Sequence, residues 1–132
     1  MRIVEFVEAN ASELIGPALD WAAGKAAGRS VWLADGVTVD GLPMVCEDYA
    51  RDMHWSPSTD WDQGGPLIRE HQIGLLSPKQ SPCGEWHASL IHPDFTDFTH
   101  ATEPLIAAMR CIVASKLGDT VQVPKELLPK PD

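Results

Sequence analysis

Residues 54–68, which read HWSPSTDWDQGGPLI, concentrate side chains whose types could do chemistry. One hydroxyl of this stretch could act as a nucleophile, with His54 as its base and Asp60 as the acid that orients the histidine. No Gly-x-Ser-x-Gly elbow surrounds either serine, and a Ser-Pro-Ser-Thr-Asp run is typical of turns in which hydroxyls and carboxylates bond backbone N–H groups. We therefore favour a turn that enters a helix, and keep a small hydrolase built on His54, Ser58 and Asp60 as the alternative.

Oxygen and nitrogen donors for a divalent metal ion occur at several positions, namely His54, Asp60, Asp62, His71, His87 and His92. Such donors suit several ions if they converge in space. The sequence contains no His-Glu-x-x-His motif and no Cys/His ligand spacing. We therefore predict no metal ion and no other cofactor.

The two tryptophans and two glycines of the same stretch favour a binding site. Trp55 and Trp61 could stack on a base or on a partner side chain, and the backbone N–H groups of Gly64 and Gly65 could hold an anion at a helix start. The alternative is that both indoles cover the core and the glycines permit a sharp turn. The predicted ligand-binding residues are Trp55, Ser58, Thr59, Asp60, Trp61, Gly64, Gly65 and Arg110.

Arg110 joins this set from a distant helix. Its guanidinium could reach the acidic residues 60–62 and fix that loop by charge-assisted hydrogen bonds. In this hypothesis the hydroxyls and glycine amides donate hydrogen bonds to the ligand, while Asp60 and Arg110 hold the loop in shape.

The first half of the chain is predicted to position this stretch through one strand, one helix and a hairpin. Residues 3–7 are β-prone, and residues 12–28 form a helix with a small apolar face that ends at Gly28. Strands near 30–34 and 37–40 flank Asp35-Gly36, which is typical of a tight hairpin turn. Residues 41–59 show no sustained period and are predicted as a long irregular connection.

The second half is predicted to contain a short helix, a second hairpin and a long helix. Pro66 suits the first turn of a helix of about two turns. Strands near 73–76 and 85–91 are joined by the connector 78–84, and a loop covers 92–101. Thr102 then caps a helix that ends near Gly118, followed by a short strand at 121–123. The apolar face of this helix is predicted to contain Leu105, Ala108, Met109, Ile112 and Val113.

The fold class is therefore α+β, with a small mixed or antiparallel sheet packed against two main helices, a long irregular loop and a short third helix. Residues 1–132 form a single domain, in which 124–132 are a loosely ordered tail.

Composition argues against several classes of function. The chain has 132 residues, a net charge of −9 and three widely spaced cysteines. The charge opposes direct binding to nucleic acid, and the apolar runs are too short to span a membrane. The cysteines form no disulfide framework, so we expect reduced thiols in a cytoplasmic protein. We therefore expect a non-catalytic protein that binds a small anionic or nucleotide-like ligand or a host protein. The alternative is an acidic interaction protein that occupies a basic host partner. A second copy could join through a sheet edge or Trp32 to form a homodimer.

The segments SELIGPALDWAAGKA, WSPSTDWDQGGPLIRE, GEW and PLIAAMRCIVASKLGDTVQVPKEL resemble the NinX-like proteins of tailed phages and prophages. The resemblance spans residues 12–127 and implies a phage or prophage accessory protein, but no activity. This chain departs from the family pattern around 45–53 and 78–84. Residues 58–117 are also similar to small phage α-β-β-α sandwich domains, which implies a fold and not a function.

Overall fold

The structure is a computed structural model that describes residues 3–39, 41–50, 53–91 and 96–129. Its helices and strands follow in the order β1 (Phe6–Asn10), α1 (Gly16–Ala26), β2 (Val31–Val39), β3 (Leu42–Glu47), α2 (Trp61–His71), β4 (Gly74–Leu76), β5 (Trp86–Ile91), β6 (Thr96–Ala101), α3 (Pro104–Leu117) and β7 (Thr120–Pro124). Short 3-10 helices at Ala11–Glu13 and Lys125–Leu127 extend the ends of β1 and β7.

The strands pair antiparallel in three small sheets. β1 pairs with β7, β2 pairs with β3, and β4, β5 and β6 form a three-stranded sheet in that order. The α+β prediction is confirmed. Within the described residues, the β1–β7 and β2–β3 pairs are separate two-stranded sheets and are not hydrogen-bonded to the three-stranded sheet.

The core lies where α3 meets α1, α2, β5 and β6. The apolar positions predicted to share one face of α3 are all buried, namely Leu105, Ala108, Met109, Ile112 and Val113. On α1, Leu19, Ala22 and Ala23 are buried, and their small side chains let the two helices approach closely. The 3.6-residue period therefore identified the packed faces correctly.

The predicted hairpin turn at Asp35-Gly36 is wrong. β2 continues through both residues to Val39 and pairs with β3, with Val39 opposite Leu42. Asp40 lies outside the described residues. Gly36 has a φ of 72°, and the pairing register shifts between Leu33 and Thr38. The glycine thus serves an irregularity within a strand instead of a tight turn. As a result, part of the predicted irregular connection is β3.

The start of α2 also differs from the prediction. The helix begins at Trp61, because the Asp60 carboxylate accepts a hydrogen bond from the Asp62 N–H and caps the first turn. Pro66 lies inside the helix, where it removes one backbone donor without ending the helix. In α3 the N-cap is Glu103, one residue later than predicted.

Two further segments carry more structure than the sequence indicated. Within the predicted loop 92–101, β6 forms from Thr96 to Ala101, so the region that resembles an α-β-β-α domain has three strands; residues 92–95 lie outside the described part. In the predicted tail, Leu127 is fully buried in a 3-10 helix. Residues 130–132 are not described.

Across the described ranges, no helix combines the length and apolar character that crossing a bilayer requires.

Adjacent glycines of α2 provide a matched test of this packing. A Cβ added at Gly64 would collide with the Pro57 carbonyl oxygen and lie 2.7 Å from Cδ2 of Leu105, whereas a Cβ at Gly65 would meet no atom within 4 Å. We expect Gly64→Ala to lower the free energy of unfolding by about 1–3 kcal/mol. Gly65→Ala should raise it by up to about 1 kcal/mol, because alanine favours helix. Urea denaturation measures both, and equal effects would show that α2 does not pack this closely on residue 57.

Candidate functional site

Trp55 lies in the core. Its side chain is only 4% exposed, its indole N–H donates a 2.9 Å hydrogen bond to the Asp20 carbonyl oxygen, and its backbone N–H donates to the Val45 carbonyl. The ring packs against α1 at Gly24, where a Cβ would lie 2.9 Å from the indole nitrogen. Of the two alternatives for Trp55, the structure gives the core, so this indole is not a stacking platform.

The Asp20 side chain fixes the next part of the segment. Its buried carboxylate accepts a 2.8 Å hydrogen bond from the backbone N–H of Ser58. Burial raises the pKa of the Asp20 carboxyl to about 7, and the Ser58 hydroxyl and N–H oppose that rise. The Ser58 oxygen lies close enough to the carboxyl to affect its pKa, yet this buried oxygen makes no hydrogen bond within the described residues. Ser58 therefore packs against α1, and it also lines the cleft that Trp61 borders.

Gln63 closes the loop from the other side. Its side-chain amide donates to the His54 carbonyl over 2.7 Å, and its amide oxygen accepts from the Ser56 N–H over 2.6 Å. The sequence analysis missed this residue and Asp20. A signal for Gln63 was present, because an Asp followed three residues later by Gln is the pattern of a capping box. Here the glutamine reaches the loop backbone instead of its own N-cap residue.

Three backbone donors in the first turn of α2 are already occupied. The Asp62 N–H bonds the Asp60 carboxylate, and the N–H groups of Gln63 and Gly64 both donate to the Asp60 carbonyl oxygen. Gly65 lies within the helix. The Gly64 amide is thus committed to a helical hydrogen bond, and the geometry does not provide the anion cradle that the sequence suggested at this glycine pair.

Arg110 lies elsewhere, not against the acidic loop as predicted. Its Nε donates to the Leu14 carbonyl and one terminal nitrogen donates to the His100 carbonyl, each over 2.9 Å. Burial lowers the pKa of Arg110 below its ordinary range, while Glu85 and Glu13 oppose the change. The guanidinium joins the chain before α1 to the end of β6, since these two carbonyls lie within reach of the middle of α3.

Trp61, Thr59 and Asp60 remain at the surface. The Trp61 side chain is 55% exposed and borders a cleft of about 190 Å³ against the start of α3 at Glu103 and Ile106. Thr59 is exposed, and its hydroxyl donates to the Ser56 carbonyl over 3.4 Å. The predicted set is therefore divided among the core, the helix start and the Arg110 contact, and does not converge on one pocket.

A groove of about 240 Å³ lies on the Asp60 side of the helix start. It is lined by Arg29, Glu47, Tyr49, Ala50, Trp55, Asp60, Asp62, Gln63 and Pro66. Three of these side chains are carboxylates, and the charge of Arg29 is shared with Glu70 at 3.5 Å. The rim includes Tyr49, which is 89% exposed. The groove is thus negative and bordered by an aromatic side chain.

The chemistry proposed for the segment finds little geometric support. Ser58 is buried and its hydroxyl bonds neither His54 nor Asp60, so the described residues form no nucleophile–base pair there. The part of the chain that the structure describes also holds no group of three or more His, Cys, Asp or Glu side chains with metal-binding geometry.

The buried Asp20 predicts an unusual pH dependence. Its pKa is higher in the folded state than the ordinary 3.8, so the folded state binds more protons between about pH 4 and pH 7. The protonated carboxyl therefore contributes to stability in acid, and this contribution is lost as the pH rises toward 7. The resulting loss in the free energy of unfolding is about 4 kcal/mol. Asp20→Asn keeps an acceptor for the Ser58 N–H but cannot ionise. Between about pH 4 and pH 7 we expect the free energy of unfolding of the variant, measured by urea denaturation, to rise by a few kcal/mol relative to that of the parent.

Comparing the two proteins at each pH removes the contribution of all other carboxyl groups. A stability difference that stays constant from about pH 4 to pH 7 would contradict the raised pKa of Asp20.

The amino-acid sequence matches a known family over most of its length. A family model described as "Bacteriophage P22, NinX" matches residues 10–116, from the end of β1 to the last turn of α3. No curated protein matches the chain. The match includes every residue of the candidate site and confirms the resemblance to NinX-like phage proteins. The chain belongs to the bacteriophage P22 NinX family.

Proposed function

We propose that this NinX-family protein is a non-catalytic phage accessory protein that binds a basic host protein through the α2 acidic face, defined as Tyr49, Asp60, Trp61 and Asp62. Two exposed aromatic side chains carry the proposal: Tyr49 lines the groove with Asp60 and Asp62, and Trp61 lies between these two carboxylates in the sequence and borders the neighbouring cleft. Tyr49 is 89% exposed and Trp61 is 55% exposed. Trp61 is the first residue of α2, and Tyr49 lines the adjoining groove.

Aromatic residues of this kind suit a protein partner. Tyrosine and tryptophan are enriched at the centres of protein interfaces, where they bury a large area and lose little conformational entropy. Trp61 follows the N-cap Asp60 directly, so the helix start holds its backbone in place. A fixed aromatic residue loses less freedom on binding than one on a mobile loop.

The charge of the face favours a basic partner. Asp60, Asp62 and the nearby Glu47 are negative, while the one guanidinium among the groove-lining residues is shared with Glu70. The whole chain carries a net charge of −9, so its long-range field attracts the same kind of partner. Complementary charge speeds the encounter and suppresses wrong partners.

The small anionic or nucleotide-like ligand has weaker support. An anion would need free backbone N–H groups or unpaired cations, but the first amides of α2 are used within the helix start. Stacking between two indoles is also unsupported, because Trp55 is packed in the core. A thermal-shift screen with nucleotides tests this ligand class directly, since saturation at a hundred times Kd would add about 2.7 kcal/mol of stability.

The α2 acidic face predicts a specific pattern of binding losses. A host protein captured on the immobilised chain is purified and its Kd is measured by calorimetry at several salt concentrations. We expect Asp62→Lys and Trp61→Ala each to weaken binding about tenfold or more, because one reverses a contact charge and the other removes an aromatic anchor. Affinity should also fall as ionic strength rises past about 0.15 M, where the screening length is about 8 Å.

Asp119→Lys is the matched control, because it makes the same charge change at an exposed position between α3 and β7. It should alter affinity only through net charge. If the control weakens binding as much as Asp62→Lys, the effect is a general field and not this face. A Kd that is unchanged in both Asp62→Lys and Trp61→Ala would contradict the proposal. A shift in unfolding temperature induced by a nucleotide would favour the ligand alternative.

A further inference from the structure

The outer edge of β1 presents backbone hydrogen-bonding groups that β7 does not use. The Ala11 N–H bonds the Asp119 carbonyl and the Lys125 N–H bonds the Glu5 carbonyl, and both pairs fit the register of the β1–β7 ladder. In an antiparallel pair, hydrogen-bonded and non-hydrogen-bonded positions alternate. The N–H and C=O groups of Phe6 and Glu8 therefore point away from β7. No described strand lies along that edge.

A groove runs beside the same strand. It has a volume of about 550 Å³ and is lined by Glu8, Ala9, Asn10, Glu13, Leu14, Ile15, Leu128 and Pro129. Its lining combines apolar side chains with two carboxylates and contains no basic residue. The Asn10 amide donates to Glu13 over 3.4 Å, which holds one carboxylate at the rim.

An open strand edge beside such a groove can bind an extended peptide as an additional strand. An added strand gains affinity from backbone hydrogen bonds, and the neighbouring groove selects every second side chain. Here the apolar lining suits an aliphatic side chain, while Glu8 and Glu13 suit lysine or arginine. The occupant that fits is an extended segment that alternates basic and apolar residues.

We propose that β1 accepts an extended basic segment of a partner protein as an additional strand along its outer edge. A second copy of this chain fits poorly, because two β1 strands paired about their centres would place Glu8 next to Glu8. This surface shares no lining residue with the α2 acidic face. The inference therefore does not rest on the proposed function, and it can hold or fail separately.

Synthetic peptides of about eight residues test the proposal with the full chain. The probe alternates lysine and valine. A glutamate–valine peptide removes charge complementarity, and a lysine–valine peptide methylated at every backbone nitrogen keeps the charge but cannot donate backbone hydrogen bonds to the edge. We expect the lysine–valine peptide alone to bind, in a salt-dependent way, and to slow hydrogen exchange at the amides of Phe6 and Glu8.

Glu8→Pro is the decisive variant. It removes a backbone donor that points away from β7, so the β1–β7 ladder keeps its hydrogen bonds. Gln122→Pro is its matched control, because Gln122 is paired with Glu8 and its N–H points to the opposite edge of the same sheet. We expect Glu8→Pro to weaken peptide binding about tenfold, and Gln122→Pro to leave it within about twofold.

Glu8→Gln separates charge from backbone and carries no risk to the strand; it should weaken binding by several-fold and reduce the salt dependence. Any of three results overturns the proposal: no binding of the lysine–valine peptide, equal binding of the N-methylated lysine–valine peptide, or equal losses in Glu8→Pro and Gln122→Pro. Loss of binding in Asp62→Lys alone would assign the peptide to the α2 acidic face instead.

Discussion

Asp20 joins α1 to the segment before α2 through two hydrogen bonds, and the positions of the candidate site residues depend on this connection. Its backbone carbonyl accepts from the Trp55 indole and its carboxylate accepts from the Ser58 N–H. A buried carboxyl is unfavourable when it ionises, and the groups of Ser58 offset only part of the effect of burial. The connection draws Trp55 and Ser58 inward and leaves Asp60, Trp61 and Asp62 outside, which separates the structural half of the motif from its exposed half.

The elements predicted correctly from the sequence are those that depend on local residue patterns. The face of α3 is correct, since five apolar positions recur at helical spacing over several turns. The strand near 85–91 and the strand at 121–123 also appear, because β-prone residues alternate there. Local rules failed where two of them competed. Asp35-Gly36 favours a hairpin turn, yet the glycine lies at a register irregularity within β2. Pro66 favours a helix start, yet the helix already begins after the N-cap Asp60.

The candidate site depended on contacts between residues distant in sequence, which no local pattern contains. Trp55 is in the core because Gly24 leaves room for its ring and Asp20 supplies an acceptor 35 residues earlier in the chain. Arg110 bonds Leu14 across a separation of 96 residues, so its type and helix face gave no means of choosing this partner over the acidic loop. Family membership was recognisable from long motifs, since these matched in order and did not require any contact to be known.

The pairing of β1 with β7 has a consequence for how the chain is made. β1 is near the amino end and its only strand partner in the described structure is near the carboxyl end. During synthesis on the ribosome β1 therefore emerges before β7, and this sheet cannot form until all the elements from α1 to α3 have followed. A nascent chain in that state has both edges of β1 open, and its acidic residues Glu5 and Glu8 then act as charges that discourage pairing with other nascent chains.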